Sequence, residues 1–131
     1  MIADNGRDYK DLPHLTAGDD DFRSKFLSWD LGNISYTDVQ EYLKVKDTIL
    51  VPMASFEQHG PHLPLYTDTI TAVEISKRVA EMIAVLHAPA IWMGYSPQHM
   101  YSPGSGRGTI TVRSTTLLNL LYDVGRSLIH H

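Results

Sequence analysis

The chain has 131 residues, 43% of them hydrophobic, which is one domain's worth of sequence with enough apolar side chains for a real core. A formal charge of −4 without a basic patch argues against nucleic acid or an anionic membrane as the main partner, and the lack of cysteine excludes disulfides and thiolate metal ligands. Met1 to Asp8 carry no basic stretch leading into an apolar one, and no apolar run reaches membrane-spanning length, so a soluble, cytoplasmic protein is expected.

Residues 1–34 read as an N-terminal arm and docking segment, and residues 35–131 as a portion of an α/β domain. Asn5 to Asp21 is polar and punctuated by Gly6, Pro13 and Gly18. Asp19, Asp20 and Asp21 fit a solvated run or the charge of a helix start better than a metal cluster. Phe22, Phe26, Leu27 and Trp29 are expected to pack on the body. Ser35 to Val45 has helical spacing, with Val39, Tyr42 and Leu43 on one face and Ser35 or Thr37 as N-cap. Thr48 to Val51 is β-branched and apolar, as in a buried strand.

A second helix is predicted after residue 68. Thr71 and Glu74 have capping-box spacing, and Ala72, Ile75, Val79, Met82, Ile83 and Leu86 recur near a 3.6-residue period. Ala90 to Met93, between Pro89 and Gly94, reads as a second buried strand, parallel to the first through a right-handed crossover. Gly94 to Gly108 is a long loop rich in Gly, Pro and Ser that carries Tyr95, Gln98, His99, Tyr101 and Arg107, and loops of this kind are often functional. Thr109 to Val112 alternates like a third strand. Ser114 is expected to cap a last helix with Leu117, Leu118, Leu120, Leu121, Val124 and Leu128 on its apolar face. Gly125 costs that helix about 1 kcal/mol relative to alanine, which suggests a close packing contact there.

The chemistry concentrates between the first strand and the helix after it, where Glu57, His59, His62 and Asp68 fall within twelve residues. Strand-to-helix loops in α/β sheets lie at the carboxyl edge, where ligands collect. Glu57 and His59, two apart on extended backbone, would point to the same side. Gly60, Pro61 and Pro64 would shape the loop so that Asp68 returns to that point. Oxygen and nitrogen donors of this kind suit zinc, and with this much carboxylate also manganese or magnesium. Equally, Glu57 could be a surface acid, the histidines turn residues, and Asp68 a helix-start charge. No Gly-x-Ser-x-Gly elbow is present, and Ser55 and Thr67 have no evident triad, so acyl-enzyme chemistry is not expected.

The run Ser55-Phe56-Glu57-Gln58-His59-Gly60-Pro61-His62-Leu63-Pro64-Leu65-Tyr66-Thr67-Asp68-Thr69 resembles the signature of the creatininase (creatinine amidohydrolase) family, Glu-Gln-His-Gly-x-His-Leu-Pro-x-x-Thr-Asp. Downstream, Gly94 to Met100 and Pro103-Gly104 followed by Gly108-Thr109-Ile110-Thr111 resemble a second family block, Ser-Pro-Glu-His-Met then Pro-Gly-Thr-Ile. The likeness runs from about Thr48 to His131. It departs from the family at Ser105-Gly106-Arg107, which look inserted, and at Gln98, where many relatives carry Glu.

That resemblance implies a three-layer α/β/α fold with a mostly parallel sheet, apparently incomplete at the C-terminal end. It also implies a two-metal centre (Zn, Mn or Mg) with Glu57, His59 and Asp68 as ligands and Asp68 as the bridge, while His62 belongs to the motif without being an assured ligand. Tyr95, Gln98 and His99 would face the substrate. The expected activity is hydrolysis, by a metal-activated water, of a C–N amide or related activated bond in a small polar substrate, such as a cyclic amide or a keto-inositol ring. Family members also include deformylases and peptidases of a modified precursor peptide, and the long arm and the 105–107 insertion favour the 3-dehydro-scyllo-inosose hydrolase-like branch. The resemblance further implies a homo-oligomer, a hexamer. The family's Asn-Gly-His-Gly segment, which completes the metal site, does not occur in the sequence, so the chain is expected to be the N-terminal portion of a longer enzyme. The rival expectation is a catalytically incomplete metal-binding or assembly fragment.

Overall fold

Two prolines decide where strands form. Pro52 and Pro89 lack the N–H that a β ladder needs, so each cuts short the apolar run beside it. The computed structural model describes residues 20–101 and 106–131. The predicted arm up to Asp19, together with Pro103, Gly104 and Ser105, lies outside the described residues. Two compact units are formed. The described part of the first is 20–51 and 75–89, and that of the second is 52–74, 90–101 and 106–131.

The first unit is built on helix α1 (Asp20–Ser24), a 3-10 turn (Leu31–Asn33), helix α2 (Tyr36–Leu43), strand β1 (Ile49–Leu50) and strand β2 (Leu86–His87). It also holds the second half of helix α3 (Thr67–Ile83). β1 and β2 pair in parallel, Ile49 opposite Leu86 and Leu50 opposite His87. Parallel pairing of strands this close in sequence needs a crossover, which the segment containing α3 supplies. The strand expected at Ala90 to Met93 thus lies on the other side of Pro89, at Leu86–His87.

Leu86 is a strand residue because the helix stops sooner than the apolar period suggested. Ala84, with φ of 53°, takes the left-handed conformation that ends helices, and it is fully buried. Two cations satisfy the carbonyls left open there. Lys46 Nζ donates to the carbonyls of Ile83 at 2.7 Å and Ala84 at 3.0 Å, and the Arg23 guanidinium donates to those of Glu81 and Met82, both at 2.9 Å. Burial lowers the pKa of Lys46, with the Arg23 charge adding to the effect.

The core of this unit is Phe22, Tyr42, Ala84 and Leu86, with Phe26, Trp29, Leu31, Ile34 and Ile49 packed around them. Phe22 and Phe26 meet edge to face at 5.1 Å. The Tyr42 hydroxyl donates to the Thr48 carbonyl and accepts from the Leu86 N–H, fixing both strands to α2. Phe22, Phe26 and Trp29 pack as expected, whereas Leu27 is fully exposed. Of the two N-cap candidates for α2, Ser35 takes the role in a reciprocal capping box with Asp38. Asp21 is exposed and paired with Lys25 at 2.8 Å, an ordinary surface ion pair.

In the second unit Met53 bridges Ile91 in parallel, Phe56 bridges Ile110 in antiparallel sense, and Gly94 bridges Thr111 in parallel. The third strand expected over Thr109 to Val112 is therefore reduced to single-residue bridges facing two different segments. Phe56 stacks edge-on with Tyr66 and Trp92.

Helix α3 begins at Thr67, four residues before the predicted capping box, so Thr71 is interior and its hydroxyl donates to the Thr67 carbonyl at 2.9 Å. A Pro64 turn starts the helix instead, with the Thr67 hydroxyl on the Pro64 carbonyl. Its buried positions are the small residues Thr69, Ser76 and Ala80, while Ile75 and Met82, expected in the core, are more than half exposed.

Gly94 to Gly108 contains a short helix, α4 (Gln98–Tyr101). The last helix, α5 (Ser114–His130), has Arg113 rather than Ser114 in the N-cap position and no side-chain cap. None of its residues is buried, and a Cβ built on Gly125 would meet nothing within 4 Å, so the close contact expected there is absent among the described residues. No helix of the described residues is long and apolar enough to cross a membrane.

Candidate metal centre

The Pro64 turn and the early start of α3 place Asp68 in the first helical turn, facing the extended segment that carries Ser55, Glu57 and His59. One ligand atom from each of Glu57, His59 and Asp68 lies within 4.8 Å of the others. All three side chains are partly buried. The fold thus brings together three residues that share one short run of sequence. His62 is exposed and stands outside the group.

Hydrogen bonds set what these groups can do. The His59 Nδ1 lies 3.0 Å from the Glu57 carbonyl oxygen. A carbonyl only accepts, so Nδ1 carries the proton, and the neutral ring presents the lone pair of Nε2 to Asp68 Oδ1 at 3.2 Å. Two acceptors meet there, an arrangement that calls for either a proton on the ring or a cation between them. The Glu57 carbonyl raises the pKa of His59 most; burial opposes it, and the Asp68 and Glu57 carboxylates reinforce it.

The Ser55 hydroxyl donates to Asp68 Oδ2 at 2.6 Å, leaving Oδ1 directed at the cluster. Carboxylate, imidazole lone pair and a carboxylate held by an outer hydroxyl form a donor set suited to a divalent ion. Ser55 was not singled out from sequence as a supporting residue. Its place two residues before Glu57 on extended backbone was the available signal.

An open cleft of about 570 Å³ lies beside the cluster, with Met53, Glu57, Asp68, Tyr95, Ser96 and Gln98 among its lining residues. Tyr95 and Gln98 thus reach the cleft, both exposed. His99 is set back, its Nε2 3.8 Å from Glu57 Oε2 and its Nδ1 3.2 Å from Gln58 Nε2. Gln58 also accepts from the Gly60 N–H at 2.9 Å, where Gly60 has φ of 73°, and its own N–H donates to Thr109 Oγ1.

This is an α/β fold with a candidate carboxylate–imidazole metal site on the segment between a strand and a helix. The family model for creatininase (creatinine amidohydrolase) matches residues 32–131, and the chain belongs to the creatininase family.

Among curated relatives, a mycofactocin precursor peptide peptidase of Mycobacterium ulcerans is 36% identical over 106 residues, covering 74% of this chain and 41% of the relative. Creatinine amidohydrolase of Pseudomonas putida is 29% identical, covering 77% of this chain and 40% of that protein. A 3-dehydro-scyllo-inosose hydrolase of Thermotoga maritima is 33% identical, covering 66% and 27%. A crystal structure of creatinine amidohydrolase superimposes with a TM-score of 0.72 at 28% identity, over 81% of this chain and 42% of that one. Similar structures include a creatininase mutant of Zn-Zn type and a manganese creatininase, with TM-scores of 0.71 and 0.70. The chain spans about two-fifths or less of the length of these relatives.

Proposed function

We propose that the protein containing this chain is a metal-dependent hydrolase that cleaves a C–N amide bond of a small polar substrate. The observation that carries this is the convergence of Glu57, His59 and Asp68, with the His59 lone pair and the Asp68 carboxylate facing each other at 3.2 Å. Glu57, His59 and Asp68 would hold the ion. A divalent ion bound there supplies Lewis acidity toward a carbonyl and lowers the pKa of water. Two of the relatives, a peptidase and an amidohydrolase, bear names that point to amide bonds, which supports a C–N amide over the keto-inositol ring favoured from the arm and the insertion.

The chain's own residues have separable tasks. Ser55 orients Asp68, the Glu57 carbonyl fixes the His59 tautomer, and Tyr95 and Gln98 contact the substrate from the cleft wall. The test is hydrolysis by the intact protein of a panel of cyclic amides, short peptides and keto-inositols, before and after chelation. Chelator-sensitive amide cleavage is expected. Equal activity in a metal-free sample would overturn the proposal.

A further inference from the structure

The Glu57-Gln58-His59 run gives its outer residues to the cluster and leaves Gln58 pointing elsewhere, toward His99 on α4, forty-one residues away. Its amide orientation is not ambiguous. The Gly60 backbone N–H, which can only donate, lies 2.9 Å from one end of the amide, so that end is the oxygen. The other end is therefore the NH2 group, which can only donate, and it lies 3.2 Å from His99 Nδ1. A neutral His99 must then keep the Nδ1 lone pair free to accept and carry its proton on Nε2. That Nε2 lies 3.8 Å from Glu57 Oε2. With the opposite tautomer, the ring would turn a lone pair toward the carboxylate and two donors would meet at Gln58.

We infer that Gln58 is a positioning residue: it selects the Nε2–H tautomer of His99, so that this ring turns an N–H toward Glu57 across 3.8 Å, longer than a hydrogen bond, and attracts that carboxylate electrostatically without itself being a metal ligand. The two site histidines are thereby set in opposite tautomers. His59 is protonated on Nδ1 by its bond to the Glu57 carbonyl and offers Nε2 as a lone pair, whereas His99 offers Nε2 as a donor. Thr109 anchors the Gln58 backbone at 3.1 Å, so the second family-like block supports the first. The consequence for Glu57 rests on the metal-binding reading above, while the tautomer does not.

The test is nitrogen NMR of the histidine rings in the intact, zinc-loaded protein, at a pH where imidazole is neutral, together with a zinc-competition titration. Wild type should show His99 protonated on Nε2. In Gln58→Glu, the second carboxylate oxygen replaces the NH2 and can only accept, so the His99 proton should move to Nδ1. Zinc affinity should then fall, because the ring turns a lone pair instead of an N–H toward Glu57 Oε2 across 3.8 Å. His99 protonated on Nδ1 in wild type overturns the inference without any variant, and would place Nε2 as a ligand or acceptor. The expected tautomers with unchanged zinc affinity in Gln58→Glu would overturn the positioning role. Failure of wild type to bind zinc at all would remove both that role and the proposed function, and the tautomer readout tells these failures apart.

Discussion

Gly94→Ala is the substitution for which the structure gives the sharpest expectation. Gly94 is buried and does not occupy the left-handed region, so an alanine there meets no conformational penalty. By restricting the unfolded chain alone it would stabilise by about 0.4–1 kcal/mol. Space decides otherwise. The new Cβ would lie 2.7 Å from Ser55 Cβ, 2.9 Å from the Ala54 carbonyl oxygen and 3.1 Å from Ser55 Cα. Two of these three atoms are backbone, so relief requires moving the Ala54–Ser55 segment rather than turning a side chain. Overpacking of this kind costs about 1–3 kcal/mol, leaving a net loss of roughly 1–2 kcal/mol. The segment that must move holds Asp68 through the 2.6 Å bond from Ser55, and its carbonyl accepts from Thr69. Metal affinity should therefore fall together with stability, by at least about tenfold. Denaturant unfolding and zinc competition on the intact protein measure both. A Gly94→Ala variant at least as stable as wild type, with unaltered zinc affinity, would refute the account of how Ser55 and Asp68 are held.

Four other outcomes are expected. Ser35→Ala should cost about 1 kcal/mol by removing the α2 cap. The Ser35 side chain and N–H hold the Asp38 carboxyl below its ordinary value, so the cap's contribution is present above the unfolded carboxyl range and lost as pH falls through the lower folded value; acid titration of the variant should show a smaller loss, because the residue-35 N–H still donates to Asp38. Metal uptake should rise with pH, because the Glu57 carbonyl stabilises protonated His59 and the proton competes with the ion; in the metal-free protein the sign reverses, and His59 contributes stability below the unfolded value that fades as pH rises through the raised one. Calorimetric titrations at several pH values read both. Gly106→Ala should disturb His99, since its Cβ would fall on the His99 carbonyl group, and a loss of stability without a shift in the His99 resonances would contradict this. The 131-residue chain expressed alone should self-associate through α5, where Leu118 and Ile129 are 64% and 87% exposed, and a monodisperse monomer on size-exclusion chromatography would disagree.

The convergence of Glu57, His59 and Asp68 was legible because these residues are compressed into a short run. Glu57 and His59 share a side by strand geometry, and Pro64 brings Asp68 back within a few residues. Helix and strand limits were less legible, because periodicity does not register what ends an element. Ala84 in a left-handed conformation takes Leu86 out of α3, and Pro89 puts β2 before the predicted run rather than within it. The capping box at Thr71 and Glu74 had the right spacing but the wrong context, since the turn at Pro64 had already started the helix. Least legible were contacts across long sequence separations. Nothing in the spacing of Gln58 and His99 indicates that an amide and an imidazole meet, or that Thr109 fastens Gln58.

The central claim is that Glu57, His59 and Asp68 together hold a divalent ion. Elemental analysis of the intact protein, dialysed free of loose metal, tests it most directly when wild type is compared with His59→Ala and His99→Ala. The account predicts zinc or manganese retained by wild type, held more weakly by His99→Ala because the N–H facing Glu57 is gone, and lost from His59→Ala. Undiminished metal in His59→Ala would contradict it.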